Sequence, residues 1–451
     1  MKVCKFGGTS MADAAQVSKS CDIILSDSER RVVVVSAPGK RDKTDTKVTD
    51  LLITCAREKL AGNSGEKELR RIVERYALIQ RDLDLPEKVL ADIKHDLQLC
   101  MESDKSSHAA YLDRMKAAGE DNCAKLVAAE FQKRGCKARY LNPREAGLLL
   151  TAQHGSAQLL PESYDNLAKI ADYDGITVFP GFFGYTPEGQ VVTFSRGGSD
   201  VTGAILAAAI KANVYENFTD VNFVYAADPK IVPNTEPIPE MTYREMRELS
   251  YAGFKVLHDE AIIPAIRNGV PICIKNTNAP DEPGTMIVLN RETTAGRVVG
   301  IAHNKGFCTI SMSKYLMNRE IGFGRKLLQI IEDEGLSFEH LPSGIDTLSI
   351  VLREDGMDEE TEKRILDRIK IELGADANIE HGLALIMIAG EGMRYVVGVA
   401  AKATKALADA GVNIEMMDQG ASEISMMFGV KGEDSEQAVR SLYASFFPWR
   451  K

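Results

Sequence analysis

Hydrophobic and polar positions fall into two rhythms along residues 1–300. Short runs rich in β-branched apolar side chains predict strands at Val3–Phe6, Arg31–Ser36, Ile176–Phe179, Val191–Phe194, Val214–Thr219 and Ile272–Asn276. Several are apolar on both faces, as central strands are in a sheet covered by helices on each side. Between them, stretches such as Asp13–Leu25 and Ser199–Ala212 repeat their apolar residues at helical spacing. The alternation predicts an α/β layer architecture. Residues 58–135 keep only the helical rhythm, in charged sequence such as EKELRRIVERYALIQRDL, and predict a helical insert. Proline-rich stretches at 229–239 and at Ala279–Gly284 predict extended loops.

The C-terminal third repeats itself. A shift of 76 residues aligns 317–366 with 393–442 without a gap. The identities include Met317/Met393, Gly322/Gly398, Gly335/Gly411, Glu339/Glu415, Ser349/Ser425 and Gly356/Gly432. Thirteen matches in 50 positions compare with roughly three expected from average composition. Each copy reads helix, glycine stop, strand, glycine turn, strand and acid-started helix. This predicts a duplicated α+β module, with too few copies for a solenoid.

Composition narrows the class. The 451 residues carry 55 basic and 65 acidic side chains, a net charge of −10, which argues against a nucleic-acid or anionic-membrane binder. No apolar run approaches the ~18 residues of a membrane span. The start MKVCKFGG lacks the layout of a signal peptide. Eight scattered cysteines without a CxxC pair read as free thiols of a cytoplasmic protein.

Three glycine-bearing or acid-bearing turns could carry chemistry. Lys5-Phe6-Gly7-Gly8-Thr9-Ser10 lies between a strand and a helix, where backbone N–H groups, a helix N-terminus and a lysine can hold phosphate oxygens. It is not a Walker A loop, because no GK[ST] follows. Ser195-Arg196-Gly197-Gly198-Ser199-Asp200 repeats the arrangement with an arginine fork suited to carboxylate or phosphate, and Ser199 or Asp200 is expected to cap the helix. Thr219-Asp220-Val221 closes a strand ahead of Tyr225 and Lys230, where open α/β sheets bind ligands. Each turn has an ordinary structural reading, and the pair of GG turns tilts the balance towards anion handling. Glu120, expected to open a helix at the end of the insert, could bind an ammonium group. Lys255, in KVLH, could add a cation near phosphates. The histidines show no metal-ligand spacing, so no metal site is assigned.

KFGGTS, SRGGSDVTGAILAAAI, FTDVNFVYAADPKIV and GFKVLH occur in this order and together resemble the aspartate kinase family of the amino acid kinase fold. The duplicated modules resemble that family's paired ACT domains. The resemblance covers essentially the whole chain. It implies an open, mainly parallel sheet sandwiched by helices, with a helical insert, over residues 1–296. Two ferredoxin-like ACT regions would follow, 297–385 (core 314–385) and 386–451, and the leading strand 298–313 could belong to the second. The implied reaction is transfer of phosphate from Mg-ATP to the β-carboxylate of L-aspartate. No base is needed, because a carboxylate is already ionised at neutral pH. What remains is alignment and charge neutralisation.

By motif, Lys5, Arg196 and Asp220 would be catalytic. Gly7, Gly8, Thr219, Tyr225, Lys230 and Lys255 would surround ATP together with Lys5 and Asp220. Thr49, Glu120, Arg196, Ser199 and Asp200 would bind aspartate. Met317, Gly322, Phe323, Glu339, Ser343 and Asp346 would bind an amino-acid effector, with lysine expected ahead of threonine. A homodimer through the ACT regions, extending to a dimer of dimers, is implied, and no homoserine dehydrogenase domain is expected. Asn222-Phe223 replaces the family's usual Pro-Gly, His258-Asp259 its His-Pro, and the 37–50 loop is lengthened, so that it is expected to order on substrate. A glutamate or acetylglutamate kinase of the same fold, and a non-catalytic sensor, stand as alternatives.

Overall fold

A computed structural model describes residues 1–195, 197–254, 257 and 259–447. The chain forms two compact units. One comprises Met1–Val224, Pro237–Arg247 and Lys255–Arg291, the other Tyr225–Glu236, Glu248–Phe254 and Glu292–Lys451.

The chain opens with β1 (Lys2–Phe6), α1 (Ala14–Leu25) and β2 (Arg30–Val35). The helices α2 (Val48–Leu60), α3 (Glu66–Asp82), α4 (Glu87–Glu102) and α5 (His108–Lys133) follow. Next come β3 (Ala138–Tyr140), α6 (Pro143–Ala146), α7 (Ser163–Ala168), β4 (Ile176–Pro180), β5 (Phe183–Tyr185) and β6 (Val191–Thr193). The remainder is α8 (Gly198–Ala209), β7 (Val214–Thr219), β8 (Val224–Tyr225), β9 (Pro237–Ile238), β10 (Glu240–Thr242), α9 (Tyr243–Tyr251), α10 (Asp259–Asn268), β11 (Ile272–Asn276) and β12 (Thr285–Val288).

Eight of these strands form one sheet in the order β10-β12-β11-β7-β1-β2-β4-β3. Every pairing is parallel except β11 with β12. Strand side chains alternate between faces. Cys4, Phe6, Val33, Val35 and Phe218 join Val17, Cys21 and Ile24 of α1 and Leu126 and Val127 of α5 in one core cluster. Lys5 points to the opposite face, where α8 lies. The expected sandwich is present.

Two expectations change. The helical region begins at Val48, not near residue 58, because Val48, Leu51, Leu52 and Cys55 bury one stripe behind a polar lead-in. Val191–Phe194 does not join the main sheet. β6 pairs only with β5, where its terminal Thr193 lies opposite Phe183 and also donates its hydroxyl to Asp113 of α5.

The second unit contains β13 (Gly300–Ser313), α11 (Phe323–Asp333), β14 (Phe338–His340), β15 (Thr347–Arg353) and α12 (Glu359–Arg368). It continues with β16 (Asp376–Ala389), α13 (Val399–Asp409), β17 (Met416–Asp418), β18 (Ser425–Lys431) and α14 (Ser435–Phe446). One sheet holds all six strands in the order β14-β15-β13-β16-β18-β17.

The repeat extends upstream of the aligned residues, since β13 and β16 are themselves 76 residues apart at both ends. They pair antiparallel from Gly300↔Ala389 to Ser313↔Asp376, which gives the unit an internal two-fold pattern. β15 takes Phe307–Ser313 of β13, and β18 takes Leu383–Ala389 of β16. Each long strand is therefore shared between the copies, and the segment 298–313 divides at Gly306. Gly306 and Gly382 occupy matched positions at φ 89° and 78°, a conformation that favours glycine.

Two of the sequence identities are not structural equivalents. Ser349 pairs with Ser311, whereas Ser425 pairs with Ala389 at the end of its strand. Glu354 N–H donates to the Gly306 carbonyl as Gly432 N–H does to that of Gly382, so Gly432 corresponds to Glu354 and not to Gly356. The second copy carries extra residues between α13 and β18 and is shorter before α14, so an ungapped alignment slips between those points.

Candidate active site

In the first unit the chain leaves β1 with β2 on one side and β7 with β11 on the other. Such a switch point, at the carboxyl ends of parallel strands, opens a crevice for ligands. Gly7 N–H donates to the Phe218 carbonyl at 3.3 Å, and Thr277 N–H to that of Thr219 at 3.0 Å, so the ends of β1, β7 and β11 are tied together. Ser10 and Thr277 hydroxyls add a bond of 2.7 Å. Thr219 and the exposed Asp220 lie at this edge. Asn276 Nδ2 donates to Asn222 Oδ1 at 2.5 Å, which gives the family departure at Asn222 a local role in closing the β7 turn.

Lys5 is 8% exposed, an uncommon burial for lysine that demands partners. Its Nζ lies 2.5 Å from Asp200 Oδ1 and 3.4 Å from Asn217 Oδ1, and Asn217 Nδ2 donates to the same Asp200 oxygen at 2.9 Å. Asp200 thus anchors the ammonium in addition to whatever it does for substrate. Asn217 was absent from the expected site. An asparagine inside the otherwise buried VYENFT strand, two positions from Tyr215 on the same face, was the available signal.

The expected cap at Ser199 or Asp200 is not formed. α8 starts at Gly198 behind Gly197 at φ 72°, with no side-chain cap, and Asp200 instead turns to Lys5. Ser199 is buried against Gly181, where a methyl group would lie 2.6 Å from its Oγ. The next residue, Phe182, holds φ 76°, strained for a bulky side chain, and its N–H donates to Thr202 Oγ1 at 3.0 Å.

Glu120 does not open a helix. It sits in the middle of α5, 5% exposed, and its Oε2 has no hydrogen-bond partner. Burial pushes its carboxyl up from 4.5 to about 8, against the lowering effect of the Ala37 N–H and its own amide. Close approach explains the contact, since a methyl group on Gly119 would lie 2.8 Å from Ala37 Cβ. Ala37 in turn lies against Gly8, and Gly39 N–H donates to the Gly8 carbonyl at 2.8 Å. Gly8, Ala37 and Glu120 form one continuous wall.

The lengthened 37–50 loop is tied down by protein groups alone. Buried Arg75 of α3 donates to the Gly39 carbonyl at 2.7 Å and to Asp45 at 2.6 Å, and Arg41 also pairs with Asp45 at 2.9 Å. Arg41, with Arg75, holds the Asp45 carboxyl well below the usual range. Thr49 lies half-buried in the first turn of α2, which has no side-chain cap.

Arg196 and Lys255, two of the expected cations, lie outside the described residues, as does His258. Tyr225 and exposed Lys230 belong to the second compact unit. There Met317 and Phe323 are buried around the left-handed Gly322. Ser343 bridges Leu348, and Asp346 Oδ1 accepts from Leu316 N–H at 2.8 Å. Glu339 is committed: its carboxylate accepts from Arg353 Nε at 3.0 Å and from the Tyr251 hydroxyl. In the second copy a cavity of about 370 Å³ is lined by Met393, Gly398 and Val399, the counterparts of Met317, Gly322 and Phe323. Among the described residues no group of three His, Cys, Asp or Glu could hold a metal ion, and no helix is long and apolar enough to cross a membrane.

Residues 1–276 match the amino acid kinase family, and residues 386–446 match an ACT domain. Aspartokinase 3 of Bacillus subtilis (strain 168) is 56% identical over 448 residues, 99% of each chain. The crystal structure of Clostridium acetobutylicum aspartate kinase superposes with a TM-score of 0.88 at 38% identity, covering 99% of this chain and 100% of that one. Escherichia coli aspartokinase III with aspartate and ADP gives 0.76 at 26% identity, over 99% and 100% of the two chains. The same enzyme with lysine and aspartate gives 0.75 at 27%, over 99% of each. With a family model over residues 1–276 and a relative 56% identical along 99% of both sequences, the chain belongs to the aspartokinases of the amino acid kinase family.

Proposed function

We propose that this aspartokinase transfers the γ-phosphoryl group of Mg-ATP to the β-carboxylate of L-aspartate, giving 4-phospho-L-aspartate. The observation that carries the reading is Glu120, a buried carboxylate whose Oε2 lacks a partner. An α-ammonium would complete it, and glutamate and aspartate share that group. Arg196 would take the α-carboxylate, while Thr49 and Ser199 complete the substrate side. The E. coli complex with aspartate and ADP supports this choice of substrates.

The nucleophile is ionised already, so the chain's task is to align two anions and offset charge on the moving group. Lys5, oriented by Asp200 and Asn217, faces the phosphoryl oxygens, with Gly7 and Gly8 offering backbone N–H groups. Thr219, Asp220, Tyr225, Lys230 and Lys255 serve the nucleotide. Mg²⁺ is usually carried by nucleotide phosphates with one or two carboxylates. The lack of a three-ligand cluster among the described residues fits delivery with ATP, and exposed Asp220 suits one such contact. When bound, the ion neutralises phosphate charge.

Lysine is the proposed feedback effector, acting at the Met317–Arg325 loop, and the protein works in the cytoplasm as a homodimer through the duplicated fold. The E. coli complex with lysine supports the effector, although Glu339 would have to exchange Arg353 for a ligand cation. Exposed Ile321 (97%) and its counterpart Val397 (100%) support an interface there. A coupled ADP-release assay with aspartate and with glutamate, each with and without millimolar lysine, tests all of this. Turnover of aspartate alone, lowered by lysine, is expected. Turnover of glutamate overturns the substrate, and inhibition by threonine but not lysine overturns the effector.

A further inference from the structure

Asp113 sits on α5, two turns before Glu120, and is 1% exposed. Its two oxygens are fully used. Oδ1 accepts from Thr193 Oγ1 at 2.8 Å and Lys116 Nζ at 3.2 Å. Oδ2 accepts from Gly155 N–H at 2.9 Å, from Thr193 N–H at 3.1 Å and, at 3.1 Å, faces His154 Nδ1. A buried carboxylate surrounded by donors is a strong and stiff junction.

Its position matters because of what β6 lacks. β6 pairs only with the three-residue β5, so no main-sheet ladder fixes its end. Thr193 is the last residue of β6, and the chain then turns at Gly197 into α8, whose first turn carries Ser199 of the aspartate side. Ala157 N–H donates to the Thr193 carbonyl at 3.1 Å and Phe194 N–H to that of Phe182 at 3.0 Å. Asp113 grips both the amide and the hydroxyl of Thr193 and so ties the end of β6 to α5. The same helix face then reaches Glu120.

We propose that Asp113 is a positioning residue for aspartate, fixing the end of β6 and the turn into α8 against the helix that presents Glu120. The inference rests on the aspartate-binding reading of Glu120 and of the α8 turn. One helix thus places both sides of the substrate site, one directly and one through Thr193.

The test is steady-state kinetics of full-length Asp113→Asn, with aspartate and ATP varied separately. Asparagine keeps one acceptor but turns an NH2 group towards donors. The aspartate KM is expected to rise about tenfold, with kcat and the ATP KM within about threefold, as for a displaced binding contact. Thr193→Val, which loses only the hydroxyl bond, should raise the aspartate KM by a smaller factor. His154→Ala removes a partner outside β6 and should lower Tm with the aspartate KM unchanged. Equal rises in both KM values, or a lower Tm with normal kinetics, would overturn the proposal. If Asp113→Asn does not fold, an unchanged aspartate KM in Thr193→Val overturns it. Failure of the parent protein to phosphorylate aspartate would instead sink the underlying reading.

Discussion

Lys5 and Glu120 are two ionisable side chains buried in the same unit, and they are provided for in opposite ways. Lys5 has Asp200 and Asn217 around its ammonium, so its charge is compensated and its direction set. Glu120 has one oxygen without a partner, and burial alone raises its carboxyl to about 8. Buried ionisable groups are ordinarily paired or neutralised. The lysine meets that demand inside the protein, and its fixed direction suits the phosphoryl-side role proposed for it. The glutamate leaves it open, which is the ground for proposing that a cationic ligand group enters there.

The comparison breaks most completely at the lysine. Lys5→Met should lower kcat by about 10³-fold, the scale of removing one preorganised charge contact to a transition state. Aspartate binding, measured by calorimetry, should persist. Lost aspartate binding with normal turnover of the bound fraction would assign Lys5 to the wrong side of the site.

The second break is at Glu120, and pH sharpens it. Glu120→Gln should raise the aspartate KM by about 100-fold and leave the ATP KM nearly unchanged, as loss of a buried charge pair does. In the parent protein the carboxyl is protonated below about 8 until an ammonium arrives. Binding therefore expels a proton, and the aspartate KM should rise as pH falls from 8 to 6, by up to about tenfold per unit. The variant should show no such slope. For the free protein the sign is opposite. A carboxyl raised from 4.5 to about 8 favours folding below 4.5 and loses that contribution as pH climbs to 8. The ligand-free variant should therefore gain Tm at pH 8, and that gain should vanish near pH 4. An equal Tm at both values would mean that Glu120 has a partner after all.

The mildest test separates the wall from the charge. Gly119→Ala places a methyl group 2.8 Å from Ala37 Cβ and 3.1 Å from Leu52. Overpacking of this kind costs about 1–3 kcal/mol. It should lower Tm by several degrees and raise the aspartate KM less than Glu120→Gln does. A neutral outcome would show that Ala37 can give way.

Much of this was legible in the residues. The strand runs, the KFGG and SRGG turns, the helical insert and the duplication all follow local or periodic signals, and four ordered motifs with the duplication left little room for another family. Errors arose where a residue's role depends on what lies across space. Asp200 looks like a helix cap in sequence, but Lys5 from β1 claims it. Glu120 looks like a first-turn acid because Gly119 before it resembles a helix start, yet that glycine serves a close approach to Ala37. The ungapped repeat placed Ser349 with Ser425 because identity cannot register compensating loop changes. Asn217, Arg75 and Phe182 went unmarked because each acts through partners far along the chain.

The sequence by itself determined the α/β order, the doubled C-terminal module and the two glycine-bearing turns between strand and helix, because periodicity and glycine placement are local properties of the chain. Only the tertiary structure decided which charges are matched, which oxygen lacks a partner and how each long strand is shared between two modules. Those outcomes depend on burial and on contacts between distant segments, and no local pattern encodes them.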